Sequence, residues 1–391
     1  MANSGERPFE FRIPGIIHVG IGSHERAAAE AARVGGGKVL VITDPNVRAT
    51  LMARKVIDLL AAADLLREVF SEIPGEPTTT EVEKGLAALQ AAQADTVVAI
   101  GGGSVIDTGK AVALLATNGG SIVDYQGANK LKRPKLPLVA VNTTAGTGSE
   151  VTRFTIITDP VTSVKMLIAD PHIIPEVAID DPLLTVTCPP LITASTGLDA
   201  LTHAIEAHVS ARATPLSDLL ALSAVGKIAR AIRAAHRNGE DLTARTTMHV
   251  ASLEAGMAFS NASVALVHGM SRPIGAYFHQ PHGISNSVLL PHVMEWSIEG
   301  SPARFADIAR ALGLETAGLR DLEAARLAVA EVRGLCRDLG IPGLTGLGID
   351  PERLMALAPT MARDALASGS PGNNPRVPSA EEIVALYRTA L

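Results

Sequence analysis

The sequence predicts an α/β protein of two domains: an N-terminal domain built on a parallel sheet, residues 1–184, and an all-α domain, residues 185–391. The first half alternates strand-like and helix-like segments, which is typical of parallel strands joined by crossover helices. Beyond EVAIDDP the strand signals largely stop, and the chain is rich in Ala, Leu and helical periodicity. Because 391 residues are too many for one ordinary core, we expect a boundary near DDPLLTVTCPP.

The elements of the first domain follow one another in a regular order. KVLVITDP predicts a buried strand, NVRATLMARKVIDLLAAADL a helix, REVFSEI a short strand, TEVEKGLAALQAA a helix and DTVVAIGGG another strand. KLPLVAVNTT predicts a further buried strand, and the stretch from FTIITDP to KMLIADP predicts a β-hairpin.

Composition excludes several classes of function. Hydrophobic residues make up 47% of the chain and aromatic residues only 3%, so the protein is compact and poorly suited to stacking on bases. The net charge is −6 and the one short basic run is KLKRPK, which argues against nucleic acid or an anionic membrane as partner. The N-terminus lacks a signal-peptide pattern and no apolar run approaches the ~20 residues that cross a bilayer, so we expect a cytoplasmic protein. Cys188 and Cys336 are far apart and without a CxxC pattern, so neither a disulfide framework nor a thiolate metal site is indicated.

A glycine-rich loop between a strand and a helix predicts a phosphate site. Gly101, Gly102, Gly103 and Ser104 follow DTVVAI and precede a helix through Lys110. Glycines let backbone amides approach a pyrophosphate, and the helix N-terminus adds unpaired N–H groups. The alternative interpretation is a tight turn with glycine for steric reasons.

A second polar loop and one acidic residue extend this prediction. VNTTAGTGSE offers hydroxyl groups to phosphate, ribose or nicotinamide; these are Thr143, Thr144, Thr147 and Ser149. Asp44, after the strand VLVIT, is placed to accept a hydrogen bond from a ribose 2′-OH and to repel a 2′-phosphate, which favours NAD over NADP. Ordinary Ser/Thr turns, and a helix cap at Asp44, are the alternatives.

Four residues between positions 199 and 282 have spacings that suit one metal ion. Asp199 and His203 are four residues apart in a helical segment, on one helix face. A short apolar helix bearing His268, expected to stop near Pro273, and a loop presenting His282 supply two more. Mixed O and N ligands suit Fe(II), Zn(II) or Mn(II). Histidines that only satisfy hydrogen bonds in the core are the alternative.

Several blocks of the sequence resemble the iron-containing (group III) alcohol dehydrogenases, in the same order and over nearly the whole chain. These blocks are GGGSVIDTGK, NTTAGTGSEVTRFTIITD, TGLDALTHAIEAHVS, AFSNASVALVHGM, PHGISN and NPR at 374–376. The resemblance implies a Rossmann-like NAD(P)-binding domain, a helical domain of the dehydroquinate synthase-like fold, and a metal in the cleft between them.

The resemblance also implies roles for individual residues. The family's metal ligands match Asp199, His203, His268 and His282. The positions that lie against the dinucleotide match Gly102, Gly103, Ser104, Asp107, Thr143, Thr144, Thr147 and Lys165. Family members use Fe(II) or Zn(II), and a homodimer is the usual minimal assembly, so we expect a homodimer or a higher homo-oligomer.

One position departs from the family pattern. Where many members have a second histidine that relays the alcohol proton, four residues after the VHGM histidine, this chain has Arg272. Arginine stays protonated and is a poor general base. The proton then leaves through water, the nicotinamide ribose or His279, or the site takes a different substrate, with Arg272 paired to a carboxylate, phosphonate or sulfonate. An arginine that packs or pairs with a protein acid is the alternative.

The expected reaction is hydride transfer between the nicotinamide and a small alcohol or aldehyde held on the metal. Phe154 and Phe259 are candidate apolar walls of the substrate pocket, or simply core residues. A hydroxyacid-oxoacid transhydrogenase, a maleylacetate reductase-like enzyme, a glycerol dehydrogenase, a dehydroquinate synthase-like lyase and a non-catalytic metal- or nucleotide-binding protein are the rival functions.

Overall fold

The computed structural model describes residues 8–35, 37–162 and 164–391. These residues form two compact units. One unit is Arg12–Cys188, and the other is Pro189–Leu391 together with residues 8–11. The domain boundary that the sequence predicts between residues 184 and 185 stays a prediction.

The first unit is built on a six-stranded sheet in which all neighbouring strands are parallel. The strands are β1 (Ile16–Val19), β2 (Val39–Thr43), β3 (Leu66–Phe70), β4 (Thr96–Gly101), β6 (Leu138–Asn142) and β9 (Val177–Asp180). Their spatial order in the sheet is β1-β9-β6-β4-β2-β3. The parallel sheet predicted from strand and helix alternation is therefore confirmed, and all its strands present their carboxyl ends at one edge.

Helices cover the sheet on both faces because successive side chains of each strand point to opposite sides. In β2, Leu40 and Ile42 belong to one apolar cluster, while Val39 and Val41 belong to a second cluster on the other face. The helices are α1 (Ala27–Arg33), α2 (Pro45–Ala49), α3 (Leu51–Ala62), α4 (Thr79–Ala91) and α5 (Gly103–Asn118).

A separate three-stranded sheet contains the predicted hairpin. The strands β7 (Phe154–Asp159) and β8 (Val164–Ala169) pair in antiparallel register, and the two-residue strand β5 (Gly127–Ala128) runs parallel to β8.

The structure differs from the sequence-based expectation in several places in this unit. The hairpin was expected to end near EVAIDDP, but Val177–Asp180 in that segment forms β9 of the parallel sheet, and the short strand β5 was not predicted. The strand β1 and the helix α1 were not predicted, because GIIHVG and its polar neighbours are short and weakly patterned. The helix expected over NVRATLMARKVIDLLAAADL is two helices, which meet at Thr50. The Thr50 backbone is extended, and its Oγ1 accepts a hydrogen bond from the N–H of Ala53, so this residue caps a new helix.

The second unit is helical, and the part of it that the structure describes contains no strand. This confirms the predicted all-α half. The helices are α6 (Pro190–Val209), α7 (Pro215–Arg237), α8 (Leu242–Ala262), α9 (Leu266–Phe278), α10 (His282–Ser297), α11 (Pro302–Ala311), α12 (Asp321–Asp338), α13 (Pro351–Ala367) and α14 (Ala380–Thr389).

The helix expected to stop near Pro273 continues to Phe278, so that expectation was wrong. Proline removes one backbone hydrogen bond, but Met270 and Ile274 on the same helix are completely buried, and tertiary packing outweighs the local preference. Within the described ranges no single helix is long and apolar enough to cross a membrane. The helices α8 and α9 reach that length and composition only when they are counted together, and the chain bends by 102° between them.

Lys110, on α5, is completely buried in the first unit. Its Nζ donates hydrogen bonds to Ser149 Oγ (2.9 Å), Thr152 Oγ1 (3.1 Å) and the carbonyl of Phe154 (2.7 Å). Burial lowers the pKa of Lys110 to about 8, against the opposing effect of the nearby Asp107 carboxylate. This lysine therefore ties α5 to the segment that follows β6.

We expect Lys110→Met to lower the free energy of unfolding by about 3 kcal/mol, because three buried acceptors lose their donor while the size of the side chain is nearly kept. Urea denaturation followed by circular dichroism measures this change. Lys55→Met is the matched control, since Lys55 is exposed on α3. Equal stability of the two variants would contradict the role given to Lys110.

Candidate metal and cofactor sites

Four side chains of the helical unit converge on one point. Asp199, His203, His268 and His282 each offer a ligand atom, and these atoms all lie within 4.8 Å of one another. Asp199 Oδ1 is 3.9 Å from His268 Nε2 and 3.8 Å from His282 Nε2, and Asp199 Oδ2 is 3.9 Å from His203 Nδ1. The structure thus brings together all four residues that the sequence singled out for a metal.

Three helices position these four residues. Asp199 and His203 project from one face of α6, one turn apart, as their spacing predicted. His268 lies in the first turn of α9. His282 was expected on a loop, but it is the first residue of α10, after the N-cap Pro281. A proline N-cap followed by His-Gly gave too little helical pattern for that helix start to be recognised.

A glycine sets the approach of α10 to α6. A Cβ atom on Gly283 would lie 2.7 Å from the carbonyl oxygen of Ser195 and 3.5 Å from Asp199 Cβ. Such a contact with backbone does not occur in real structures, so only glycine lets α10 pack this closely against the helix bearing Asp199. The glycine of the PHG block is therefore required to place His282 beside Asp199.

Glu206 orients one of the candidate ligands and was missed in the sequence. Its Oε2 lies 2.6 Å from His268 Nδ1 and accepts a hydrogen bond from the N–H of Ala265 (2.9 Å), and its Oε1 accepts one from the N–H of Val267 (2.5 Å). Burial raises the pKa of Glu206 to about 7, although these backbone bonds work in the other direction. With its Nδ1 facing this carboxylate, His268 turns Nε2 towards Asp199.

Asn286 was also missed, and it bridges three of the four residues. Its Nδ2 donates to Asp199 Oδ1 (2.6 Å) and lies 3.1 Å from both His268 Nε2 and His282 Nε2. Both missed residues carry a sequence signal. Glu206 follows Asp199 by seven residues, on the same face of α6, and Asn286 follows His282 by four, on the same face of α10.

The donor set fits a divalent metal. His203 Nδ1 is buried and has no hydrogen-bond partner among the described residues, and Asp199, His203 and His268 are each less than 5% exposed. Burial lowers the pKa of His268 well below its usual value, and the neighbouring charges of His203 and Arg272 act in the same direction. A neutral imidazole keeps the lone pair that a metal needs, and one carboxylate with three imidazoles suits a borderline ion such as Fe(II) or Zn(II).

Phe259, predicted as a wall of the substrate pocket, stacks on His203 with ring centroids 4.1 Å apart and planes at 13°. It therefore fixes the orientation of that imidazole. Phe154, the other predicted wall, lies in β7 of the first unit.

Arg272, which stands at the position of the family's relay histidine, and His279, the candidate for an alternative proton route, have different surroundings. Arg272 is half-buried on α9, one turn after His268, and its Nη1 donates to Ser370 Oγ at 3.0 Å. His279 is exposed and ends the same helix, with a left-handed backbone (φ 54°).

In the first unit, the carboxyl ends of β2, β4 and β6 bring three predicted segments to one edge of the sheet. The glycine loop packs directly on the threonine loop. A Cβ on Gly102 would lie 3.0 Å from Thr144 Cγ2, and one on Gly103 would lie 2.8 Å from Thr147 Cγ2. Gly103 and Ser104 begin α5, so unpaired N–H groups face this edge, as a phosphate site requires.

Other predicted cofactor residues have partners within the protein. Ser149 Oγ donates to Asp107 Oδ1 at 2.5 Å, and the N–H of Ile156 donates to Asp107 Oδ2 at 2.9 Å. Burial raises the pKa of Asp107, while Lys110 opposes this shift. Lys165 Nζ lies 2.6 Å from Glu76.

Asp44 caps a helix, the alternative considered for it. Its Oδ1 accepts from the N–H groups of Asn46 (2.8 Å) and Val47 (2.9 Å) at the start of α2. No hydrogen bond to Asp44 Oδ2 is found in the described part of the chain.

Comparison with known proteins identifies the family. The model of the iron-containing alcohol dehydrogenases matches residues 14–182, and that of the C-terminal region of the Fe-containing alcohol dehydrogenase family matches residues 193–391. The 1,3-propanediol dehydrogenase of Klebsiella pneumoniae is 40% identical over 387 residues, which are 98% of this chain and 99% of that enzyme.

Solved structures agree with this result. A crystal structure of a 1,3-propanediol oxidoreductase superposes with a TM-score of 0.95 at 40% identity, covering 98% of this chain and 100% of the other. The sulfoacetaldehyde reductase of Bifidobacterium kashiwanohense, solved with NAD+, superposes with a TM-score of 0.87 at 29% identity, covering 98% and 99%. The resemblance seen in the sequence blocks is confirmed: the chain belongs to the iron-containing alcohol dehydrogenase family and is an oxidoreductase of alcohols and aldehydes.

Proposed function

We propose that this protein reduces a small aldehyde with NADH, and oxidises the corresponding alcohol, at a divalent metal held by Asp199, His203, His268 and His282. The observation that carries the proposal is the convergence of these four ligand atoms within 4.8 Å in a nearly closed environment. Fe(II) is the proposed ion and Zn(II) the alternative, because the two share these ligands.

The metal, when bound, supplies a Lewis acid that polarises a carbonyl oxygen or lowers the pKa of an alcohol. The protein's own residues prepare this centre. Glu206 holds His268 with Nε2 towards Asp199, and Phe259 holds the ring of His203. Asn286 donates to Asp199 Oδ1, which keeps that carboxylate turned towards the imidazoles.

The proposed site for the dinucleotide is the edge of the sheet where β2, β4 and β6 end. The pyrophosphate would lie on the N-terminus of α5, at Gly101, Gly102, Gly103 and Ser104, beside Thr143, Thr144 and Thr147. The close packing of the glycines on Thr144 and Thr147 supports this, since it leaves backbone amides as the groups that face a ligand. The hydrogen bond between Ser149 and Asp107 joins the threonine loop to α5. Lys165 is proposed to lie against the dinucleotide.

Asp44 is proposed to select NAD over NADP. Both capping hydrogen bonds use Oδ1, so Oδ2 remains available to a ribose hydroxyl, and the negative charge would repel a 2′-phosphate.

Proton exchange cannot follow the histidine route of many family members, because Arg272 occupies that position. We propose that water, the nicotinamide ribose or His279 carries the proton.

Phe154 is proposed to line the substrate pocket. We also propose a cytoplasmic homodimer or higher homo-oligomer, in which a cofactor domain ends near residue 184 and a metal-binding domain follows.

The proposed reaction predicts metal-dependent turnover. Protein stripped of metal should not oxidise NADH in the presence of a short-chain aldehyde, and anaerobic reloading with Fe(II) or Zn(II) should restore the activity, because the carbonyl would again be polarised. Absorbance at 340 nm measures NADH.

Other outcomes of this experiment would point to the rival functions. Equal activity of the stripped protein would contradict the proposed role of the metal. Product formed without net change in NADH would indicate a transhydrogenase or a lyase. Bound metal and NADH without any turnover would indicate a non-catalytic binding protein.

Removing the charge of Glu206 should weaken metal binding. We expect Glu206→Gln to raise the dissociation constant for Zn(II) by about 10- to 100-fold, since the amide is a weaker acceptor for His268 Nδ1–H. A titration against a chromophoric chelator gives this value without any assay of activity. Glu254→Gln, which alters a carboxylate that pairs with Lys227, is the control; an equal effect of both variants would argue against a specific role.

Replacement of Asp44 by asparagine tests the selection of cofactor. The amide oxygen keeps the cap of α2, and the loss of one negative charge should raise the ratio of kcat/KM for NADPH to that for NADH by about tenfold, the equivalent of ~1.4 kcal/mol. Steady-state kinetics with both cofactors measures the ratio. If it does not change, Asp44 acts only as a helix cap.

A further inference from the structure

Arg272, one turn after His268, has no carboxylate partner in the part of the chain that the structure describes. The hydrogen bond found for it among the described residues goes to the neutral hydroxyl of Ser370, and its buried Nε has no acceptor there. Among the described residues no carboxylate lies within 4.0 Å of it. By contrast, Arg304 pairs with Asp218.

Burial lowers the pKa of Arg272, and the negative charge of Glu206 opposes this shift. Both carboxylate oxygens of Glu206, however, already have hydrogen-bond partners. Its two oxygens accept from the N–H groups of Ala265 and Val267 and face His268 Nδ1. A guanidinium that is partly withdrawn from water without a counter-ion is unfavourable, and the cost falls when an anion pairs with it.

The position of Arg272 is fixed relative to the metal ligands. It follows His268 by four residues on α9, which is one turn, or roughly 6 Å along the helix axis. Its partner Ser370 is held in place as well: a Cβ on Gly269 would lie 2.6 Å from Pro371 Cγ, so the segment after α13 packs directly against the turn that bears His268.

Ser370 completes a pair of donors. Its Oγ accepts from Arg272 Nη1, so its own hydroxyl hydrogen remains available. It is only 5% exposed and begins the short helical turn Ser370–Asn373. A guanidinium and a hydroxyl side by side are suited to an oxyanion with several acceptor oxygens.

We propose that Arg272 and Ser370 bind an anionic group on the substrate, so that the natural substrate is a short aldehyde, or its alcohol, with a carboxylate, sulfonate or phosphonate one to three carbons from the carbonyl. The chain length follows from the distance of roughly one helical turn between His268 and Arg272. This inference rests on the proposed function, because it assumes that the carbonyl is bound beside His268.

The test compares two aldehydes of equal length that differ in charge. NADH oxidation is measured with succinic semialdehyde and with butanal, using the metal-loaded protein. We expect kcat/KM to favour the anionic aldehyde by about 10- to 100-fold, the effect of one charged hydrogen-bonding group. Arg272→Gln should reduce this ratio by about the same factor, mainly through KM for the anion, and Arg272→Lys should recover part of it.

Two further variants make the comparison specific. Ser370→Ala should reduce the ratio only a few-fold, since one neutral hydrogen bond is lost, and it provides a test if Arg272→Gln does not fold. Arg326→Gln, at an exposed arginine of α12, is the matched control and should keep the wild-type ratio.

Calorimetry gives a second measurement that does not depend on turnover. Propane-1-sulfonate should bind the metal-loaded wild-type protein at least about tenfold more tightly than it binds Arg272→Gln. Equal kcat/KM for both aldehydes, or equal binding of the sulfonate by both proteins, would overturn the inference and leave the proposed function intact. Absence of turnover with either aldehyde would instead count against the proposed function, while the sulfonate titration would still decide the role of Arg272.

Discussion

The meeting of one carboxylate and three imidazoles inside the helical unit is the constraint on which the rest of that unit depends. Asp199 and His203 come from α6, His268 from α9 and His282 from α10, and their ligand atoms lie within 4.8 Å of one another. Polar groups crowded into an apolar interior are unfavourable unless something pairs with them. A divalent cation would satisfy all four at once, and the close packing of the three helices brings the four ligand atoms near enough to hold one. Gly283 provides that approach for α10, because any side chain there would meet the backbone of α6.

The α/β unit would meet a different requirement of the proposed function, the presentation of backbone amides to a phosphate. A parallel sheet places the ends of β2, β4 and β6 side by side, and α5 begins immediately after β4. The glycines there pack on the side chains of Thr144 and Thr147. Lys110 ties the same helix to the chain after β6 through three buried hydrogen bonds. The shape of this edge is therefore set by packing and buried polar contacts within the protein.

Much of this architecture could be predicted because the relevant signals are local. Alternating strands and helices indicated the parallel sheet, and a spacing of four residues placed Asp199 and His203 on one face. Contacts between distant segments could not be predicted in the same way. The hydrogen bond of Glu206 to His268 joins residues 62 apart in the chain, and the continuation of α9 through Pro273 depends on tertiary packing. Asp44 shows the opposite difficulty: its position after a strand suits both a helix cap and a ribose contact, and the capping geometry leaves one oxygen for the second role.

Arg272 stands where the family resemblance led us to expect a relay histidine, and it adds a positive charge next to the proposed metal centre. Glu206 faces His268 and the backbone N–H groups of Ala265 and Val267, so the guanidinium one turn from His268 has a hydroxyl and no carboxylate as its hydrogen-bond partner among the described residues. A neutral aldehyde leaves that charge unpaired and half-buried. An anionic aldehyde neutralises it and at the same time fixes the far end of the substrate, which restricts the orientation of its carbonyl. In the proposed function, one residue thus accounts both for the absence of a histidine relay and for an anchor on the substrate.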